Sequence, residues 1–448
     1  MKANIYELGH IYFAKGMIKA KHANRKIDNY FAGSYFLGTL NFFLKFIYSL
    51  LFCNWRFPPQ GKDYQGIVVY GPTRNNRLSL DPILEKVRKE RMVLMMTERS
   101  FPSWRLYWYA LPHIFDIIKD IKSASEENKR IIKFFFPKFW RLYGCPKVVK
   151  QIIDKYNPRM IILANDHLPF NHCLRLIANE KGIKTIYIQH AAAGLTFPPL
   201  QFSYALLDGM DAFDKYKTIG NIKGNIYLCG GVRFDKIDHT LIRQDERLRI
   251  GVAINVVDDI DAVKNLCVYL KQCDKNGSPA IVTLRPHPIM SEKDLKEWCG
   301  ANDIFFSSSR TESSFDFINK QSCLVANQSS IHLDAAMCRT PSIVFDLSKN
   351  CPKDLYGFVR NKLVTEAKTY EDIKDFIARL DSYSIEASIV QYYDASYGTQ
   401  HEGKVSTIMA SLIESILEED TTFNENNGFL TIEQQTDYTL YGTNEQVL

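Results

Sequence analysis

The sequence predicts an α/β chain of two Rossmann-like domains facing each other across a cleft, preceded by an amphipathic helical segment. Three observations carry this expectation. From residue 66 onward, short Val- and Ile-rich runs alternate with longer stretches of helical period, the pattern of βαβ units and a parallel sheet. The series pauses at Gly230-Gly231 and a polar link near 235–246, then begins again. Ahead of both, before Pro58-Pro59, lies an aromatic, leucine-rich run of another character.

That first segment, residues 1–62, carries nine Lys/Arg against two acids, a local balance of +7 in a chain whose net charge is +6. Within it, Phe36, Leu37, Leu40, Phe43, Leu44, Ile47 and Leu51 follow helical spacing, with Gly38, Asn41, Lys45 and Ser49 on the opposite stripe. A spanning helix needs about 20 predominantly apolar residues. Asn41 and Lys45 interrupt this run, so it is expected to lie in the interface of an anionic membrane or against the domain core. No cleavable signal peptide is expected, because the first apolar run comes late and lacks a small-residue cleavage site.

In the first domain, 63–240, strands are expected at 66–71, 91–96, 159–166, 184–190, 202–209 and 225–231, with helices through 80–90 and 174–182 and a mostly helical stretch at 100–156. In the second, 241–417, strands are expected at 249–255, 279–288, 302–308, 323–330, 341–348 and 362–367, with helices through 263–273, 292–299, 331–337, 369–381 and 402–418. The tail, 418–448, lacks Lys and Arg and is expected to be flexible. Ligands of open parallel sheets bind at the carboxyl ends of the strands, so residues there are the first candidates for function.

Four features occupy such positions. The strand AIVTL runs into Arg285-Pro286-His287-Pro288, where two prolines hold an imidazole at a stiff strand exit. His287 can donate to a phosphate, and Arg285 can add a planar fork of donors. The strand CLVAN is followed by Ser329-Ser330 at the opening of a helix, a place suited to an anion. In the first domain, Asp166 follows RMIILAN and His190 follows KTIYIQ. Asp166 is a candidate general base or nucleophile, or an N-cap or Asx turn for the next helix; His190 is a candidate for orienting an acceptor or assisting proton transfer, with His167 a weaker one.

Several chemistries find no support. The chain has no G-x-G-x-x-G, no P-loop and no G-x-S-x-G, and Asp258, Asp259 and Asp261 read as the cap of a helix rather than as a metal site. Ten scattered cysteines without C-x-x-C spacing point to reduced thiols in a cytoplasm and away from zinc. No metal or cofactor is called for, and no nucleic-acid-binding module is present.

His287-Pro288 and Ser329-Ser330 resemble the HP and Ser-Ser motifs of bacterial transferases that use CMP-activated acidic sugars: the sialyltransferases, polysialyltransferases and Kdo transferases of capsule and lipopolysaccharide assembly. The resemblance covers mainly residues 245–415 and implies a GT-B type fold. It also implies a nucleotide-sugar donor, with a CMP-sugar favoured, and roles for His287, Ser329 and Ser330 on the donor phosphate. It further implies a glycan or lipid-linked acceptor; the reduced cysteines and the basic amphipathic segment place the chain, as an expectation, in the cytoplasm on the inner face of the cell membrane. IYIQHAAAGLTFPPL at 186–200 is similar to a loop of capsule polysaccharide transferases and CDP-glycerol glycerophosphotransferases. The acidic pair followed by Gly in sialyltransferases has only Asp208-Gly209 as a counterpart, which leaves Kdo, pseudaminic or legionaminic acid open as donors. The alternatives are a CDP-glycerol or ribitol type polyol-phosphate transferase and a non-catalytic scaffold of capsule assembly.

Overall fold

The computed structural model of the protein describes residues 5–13, 34–60, 66–238, 247–275, 278–348, 353–419, 430–432 and 440–441. It contains two α/β units: one formed by the chain up to Val232 together with the chain from Val405, the other by Arg233–Lys404. The expected pair of Rossmann-like domains is therefore present, each built on its own sheet.

The first unit holds β1 (Ile67–Tyr70), β2 (Met92–Met95), β3 (Met160–Leu163), β4 (Lys184–Ile188), β5 (Gln201–Leu207) and β6 (Lys223–Leu228). They pair in parallel in the order β6-β5-β4-β3-β1-β2. β1 and β3 are buried at every position, which is why each reads as an unbroken apolar run rather than an alternating one. On one face, Ile67, Val69, Ile162, Ile186 and Ile188 pack against Leu80 and Ile83 of the helix Arg74–Leu84. That helix begins six residues before the expected start because Thr73 and Asn76 form a reciprocal capping box.

The second unit holds β7 (Arg249–Ala253), β8 (Ile281–Arg285), β9 (Phe305–Phe306), β10 (Cys323–Ala326), β11 (Ser342–Phe345) and β12 (Thr365–Ala367). All are parallel, in the order β9-β8-β7-β10-β11-β12. Gly251 sits on the central strand where a Cβ would meet the Phe317 ring at 2.8 Å, so the absent side chain lets that aromatic close over the sheet.

Two short strands come from the tail: β13 (Leu430–Ile432) pairs antiparallel with β6, and β14 (Leu440–Tyr441) pairs antiparallel with β13; Glu418 ends a helix, and the rest of the expected flexible tail beyond Glu419 lies outside the described residues.

The helices that bear on function are α1 (Tyr35–Phe52), α2 (Trp104–Ala110), α3 (Ile114–Ser123), α4 (Phe136–Leu142), α5 (Pro169–Glu180), α6 (Met210–Ile219), α7 (Ile260–Leu270), α8 (Ile331–Met337) and α9 (Val405–Glu418). α9, expected to close the second domain, instead lays Met409, Leu412 and Ile413 into the core of the first unit, and Lys86 donates to Ser406 Oγ at 2.7 Å. Its apolar stripe is the same whichever sheet it covers, so the sequence pattern alone does not choose between them.

α1 does not pack its apolar stripe against the domain core, the second of the two expected arrangements. Its protein-facing side is the stripe of Gly38, Asn41 and Ser49 together with Phe42, while Phe36, Leu40, Phe43, Leu44, Ile47 and Leu51 are exposed. Phe42 is fully buried and stacks on Trp140 of α4, ring centroids 4.1 Å apart. Gly38 lets the Phe136 ring approach to within 3.0 Å of where a Cβ would stand. The contact side is thus chosen by small residues and one aromatic pair rather than by the broader apolar stripe.

Candidate active site

In the second unit, register brings the two predicted phosphate elements to one edge. Arg285 of β8 and Ala326 of β10 both lie opposite Ala253 of β7. His287 follows two residues after the first and Ser329 three after the second, so both leave the carboxyl edge at the same level. One strand separates them, a span of about 10 Å between strand axes. The loop after β7 lies between and is wired to the serine loop: Asp258 accepts from Asn255 N at 2.6 Å and from Asn327 Nδ2 at 2.8 Å.

His287 sits in a turn in which Ile289 N donates to its Nδ1 at 3.3 Å and Met290 N donates to its backbone carbonyl at 2.9 Å. An Nδ1 that accepts leaves the ring proton on Nε2, where it can donate to an anion. Partial burial pushes the imidazole pKa down, so the neutral form prevails near pH 7. Ser329 and Ser330 are half-buried; Ser329 Oγ accepts only a long bond from Ile331 N, at 3.4 Å, and the Ser330 side chain makes no capping bond to α8.

Arg285 does not serve as predicted. Its guanidinium is buried, donates to Ser307 Oγ at 2.7 Å and to the Glu312 carbonyl at 2.8 Å, and lies over the Phe317 ring. It closes the strand end from inside, with an N–H of each terminal nitrogen committed there. The aspartates behave nearly as expected: Asp259 caps α7 through Asp261 N and Ala262 N, while Asp258 is the loop tie just described.

His332 is a residue the sequence reading passed over. Fully buried, it bridges the Asn327 carbonyl and Ser342 Oγ, both at 3.1 Å, and so fixes the loop that carries the serines. Its position two residues past Ser330 is the only signal for it in the sequence.

In the first unit, Asn165 takes the Asx-turn role that was open to Asp166, accepting from His167 N at 3.1 Å and Leu168 N at 2.7 Å ahead of α5. Asp166 is 2% exposed, and both its oxygens are engaged: one with His167 Nδ1 at 2.9 Å, the other accepting from the Tyr216 hydroxyl of α6. A carboxylate so enclosed cannot attack a substrate as a nucleophile or reach a hydroxyl as a direct base. It orients His167 instead, whose Nε2, with Asn165 Nδ2 at 3.3 Å, is left as the acceptor nitrogen.

His190 follows β4 with its ring centroid 6.1 Å from that of His167. Burial, then the neighbouring His167, depress its pKa to about 4 against a partial offset from Asp166. Gln189 holds this loop, donating to the Ala191 carbonyl at 3.0 Å and accepting from Asp208 N at 2.9 Å. Among the described residues no group of three His, Cys, Asp or Glu side chains is arranged to hold a metal ion, and nine cysteines are free thiols.

No protein-family model and no curated protein matches the chain. Solved structures similar in chain path include the UDP-GlcNAc 2-epimerase of Neisseria meningitidis bound to UDP-GlcNAc, at 9% identity and TM-score 0.46 over 79% of this chain and 100% of that one. The lipopolysaccharide outer core galactosyltransferase WaaB aligns at 10% identity and TM-score 0.42 over 78% and 99%. The glycosyltransferase of kitacinnamycin aligns at 12% and 0.46 over 80% and 100%. Likeness of this order concerns chain path alone, and the fold assignment rests on the sheet topology above.

His332 gives a pH prediction. Burial drives its pKa down to about 4 from the ordinary 6.5. The folded form therefore binds fewer protons than the unfolded chain between those values, and stability present above pH 6.5 is lost as pH falls toward 4. The loss is on the order of 3 kcal/mol at full effect. Melting of the second unit followed from pH 7 to 4 should fall steeply, and the fall should be shallower in His332→Gln.

Proposed function

We propose that the protein is a glycosyltransferase that moves a sugar from a nucleotide-activated donor to a hydroxyl of a surface glycan, with His287, Ser329 and Ser330 on the donor phosphate. The observation that supports it is the shared register of the two loops, which sets a neutral Nε2–H donor and two serine hydroxyls on one edge of a parallel sheet. Donors held in place before the reaction stabilise the charge that develops on a departing phosphate, at about 2.7–4 kcal/mol for each group removed in comparable sites. His167, held by Asp166, is assigned the proton of the acceptor hydroxyl, and His190 the orientation of the acceptor. The resemblance of the motifs favours a CMP-linked acidic sugar, and capsule or lipopolysaccharide as the product.

A donor screen with CMP-, CDP- and UDP-sugars, read by mass spectrometry, tests the reading. A glycosidic product with release of the nucleotide is expected. His287→Ala and the Ser329→Ala/Ser330→Ala pair should each lower kcat/KM by about 10²–10³-fold, while Asp166→Asn should lower kcat and leave nucleotide affinity intact. A phosphodiester product would make the protein a polyol-phosphate transferase. Neither turnover nor nucleotide binding would make it a scaffold.

We also propose that the protein works on the cytoplasmic face of an anionic membrane. Trp108 of α2, in ring contact with Phe46, adds to the exposed apolar side of α1, and on α3 Phe115 and Ile118 are exposed beside Lys119 and Lys122. Along the sequence, residues 1–62 carry +7 and residues 101–156 carry +6, while the rest of the chain sums to −7. An apolar face flanked by basic residues fits an anionic lipid surface. Flotation with vesicles of phosphatidylcholine, with and without phosphatidylglycerol, should show binding that requires the anionic lipid. Phe36→Glu/Ile47→Glu should abolish it, and Lys119→Gln/Lys122→Gln should weaken it several-fold at each position, near 1 kcal/mol per basic residue. Equal binding to neutral vesicles would contradict the proposal.

A further inference from the structure

A cavity of about 860 Å³ lies in the first unit between α1 and the carboxyl ends of β1 and β2. It falls in the size range of ligand sites, about 300–1,000 Å³, and none of the roles assigned above uses it. Four cations line it, Lys45, Arg99, Lys138 and Arg141, against one carboxylate, Glu98. Desolvation would raise the Glu98 pKa, but the charge and paired hydrogen bonds of Arg141, at 2.9 and 3.0 Å, with Lys138 and Lys45 behind, hold it below the ordinary value. Glu98 therefore stays ionised and cancels one cation, and the lining keeps a charge of +3.

The lining also contains an amide without a bond. Asn171 of α5 is 1% exposed, and among the described residues neither its Oδ1 nor its Nδ2 has a hydrogen-bond partner. A buried amide left so is unfavourable, and a ligand that bonds it removes that penalty. The remaining wall includes the aromatic rings of Tyr48, Tyr70 and Phe170. Tyr48 and Arg99, both exposed, bond one another at the mouth.

α1 forms one wall. Lys45, Tyr48 and Ser49 line the cavity, while Phe43, Leu44, Ile47 and Leu51 stand exposed on the helix's other sides. A cationic chamber thus adjoins an apolar helix surface, an arrangement suited to a molecule that is anionic at one end and aliphatic at the other.

We infer that this cavity binds the phosphate head of an amphiphile whose aliphatic chain lies along α1, and that this phosphorylated lipid is the anchor of the acceptor glycan. The second half of the inference rests on the transferase reading; the binding itself does not.

Isothermal titration of the full chain tests it, using farnesyl phosphate below its critical micelle concentration, with farnesol, glycerol phosphate and inorganic phosphate as comparisons. Farnesyl phosphate should bind at least tenfold tighter than any of the three. Arg99→Gln, at an exposed position where folding is not at stake, and Lys138→Gln should each weaken it at least fivefold, whereas Lys119→Gln/Lys122→Gln, outside the cavity, should leave it unchanged. Equal loss in that control would mean adsorption to the basic surface and overturn the site. Inorganic phosphate binding as tightly as farnesyl phosphate would make the ligand a free phosphate and overturn the amphiphile. Failure of farnesyl phosphate to bind, with nucleotide binding intact and sensitive to His287→Ala, would sink the cavity and spare the transferase. Cavity binding without any nucleotide binding would do the reverse.

Discussion

The parallel sheet is the constraint on which the rest of this structure depends. When every strand runs the same way, every strand ends on one edge, and the residues just past those ends are gathered however far apart they lie in sequence. His287 and Ser329 are 42 positions apart in the chain and meet the same level because β8 and β10 both pair with β7. In the other unit, Asp166 and His190 come from adjacent strands, β3 and β4. The candidate residues of each unit are neighbours in space because the topology is parallel.

A second layer of residues holds these loops still. Asp258 and His332 each bind Asn327 or its carbonyl from buried positions, so the serine loop is fixed from below and behind. Arg285 seals the foot of the His287 turn by bonding Ser307 and Glu312. Tyr216 and Asn165 do the same for the Asp166–His167 pair. Groups that must meet a developing charge without rearranging gain from such support, because reorganisation at the moment of reaction is avoided.

The strands were legible in the sequence because buried parallel strands are apolar at every position, so β1, β3 and β10 stand out as short runs against polar loops. The candidate residues at their ends were legible for the same reason. What each side chain bonds to was not. Arg285 looks the same in sequence whether it meets a phosphate or the Glu312 carbonyl 27 positions on, and Asp166 gives no sign of Tyr216, 50 positions away. Hydrophobic period likewise says that α9 and α1 have an apolar stripe but not what covers it. α9 spends its stripe on the first unit's core, and α1 turns most of its own outward because Phe42 and Trp140 stack on the other side.

The central claim is that the imidazole at 287 and the hydroxyls at 329 and 330 hold one phosphate. The most direct measurement is a crystal structure of the protein with a bound cytidine nucleotide. The account predicts a phosphate oxygen within hydrogen-bond distance, about 3 Å, of His287 Nε2, with Ser329 or Ser330 Oγ on the same phosphate. A nucleotide whose phosphate lies away from both loops, or contacts only one of them, would contradict it.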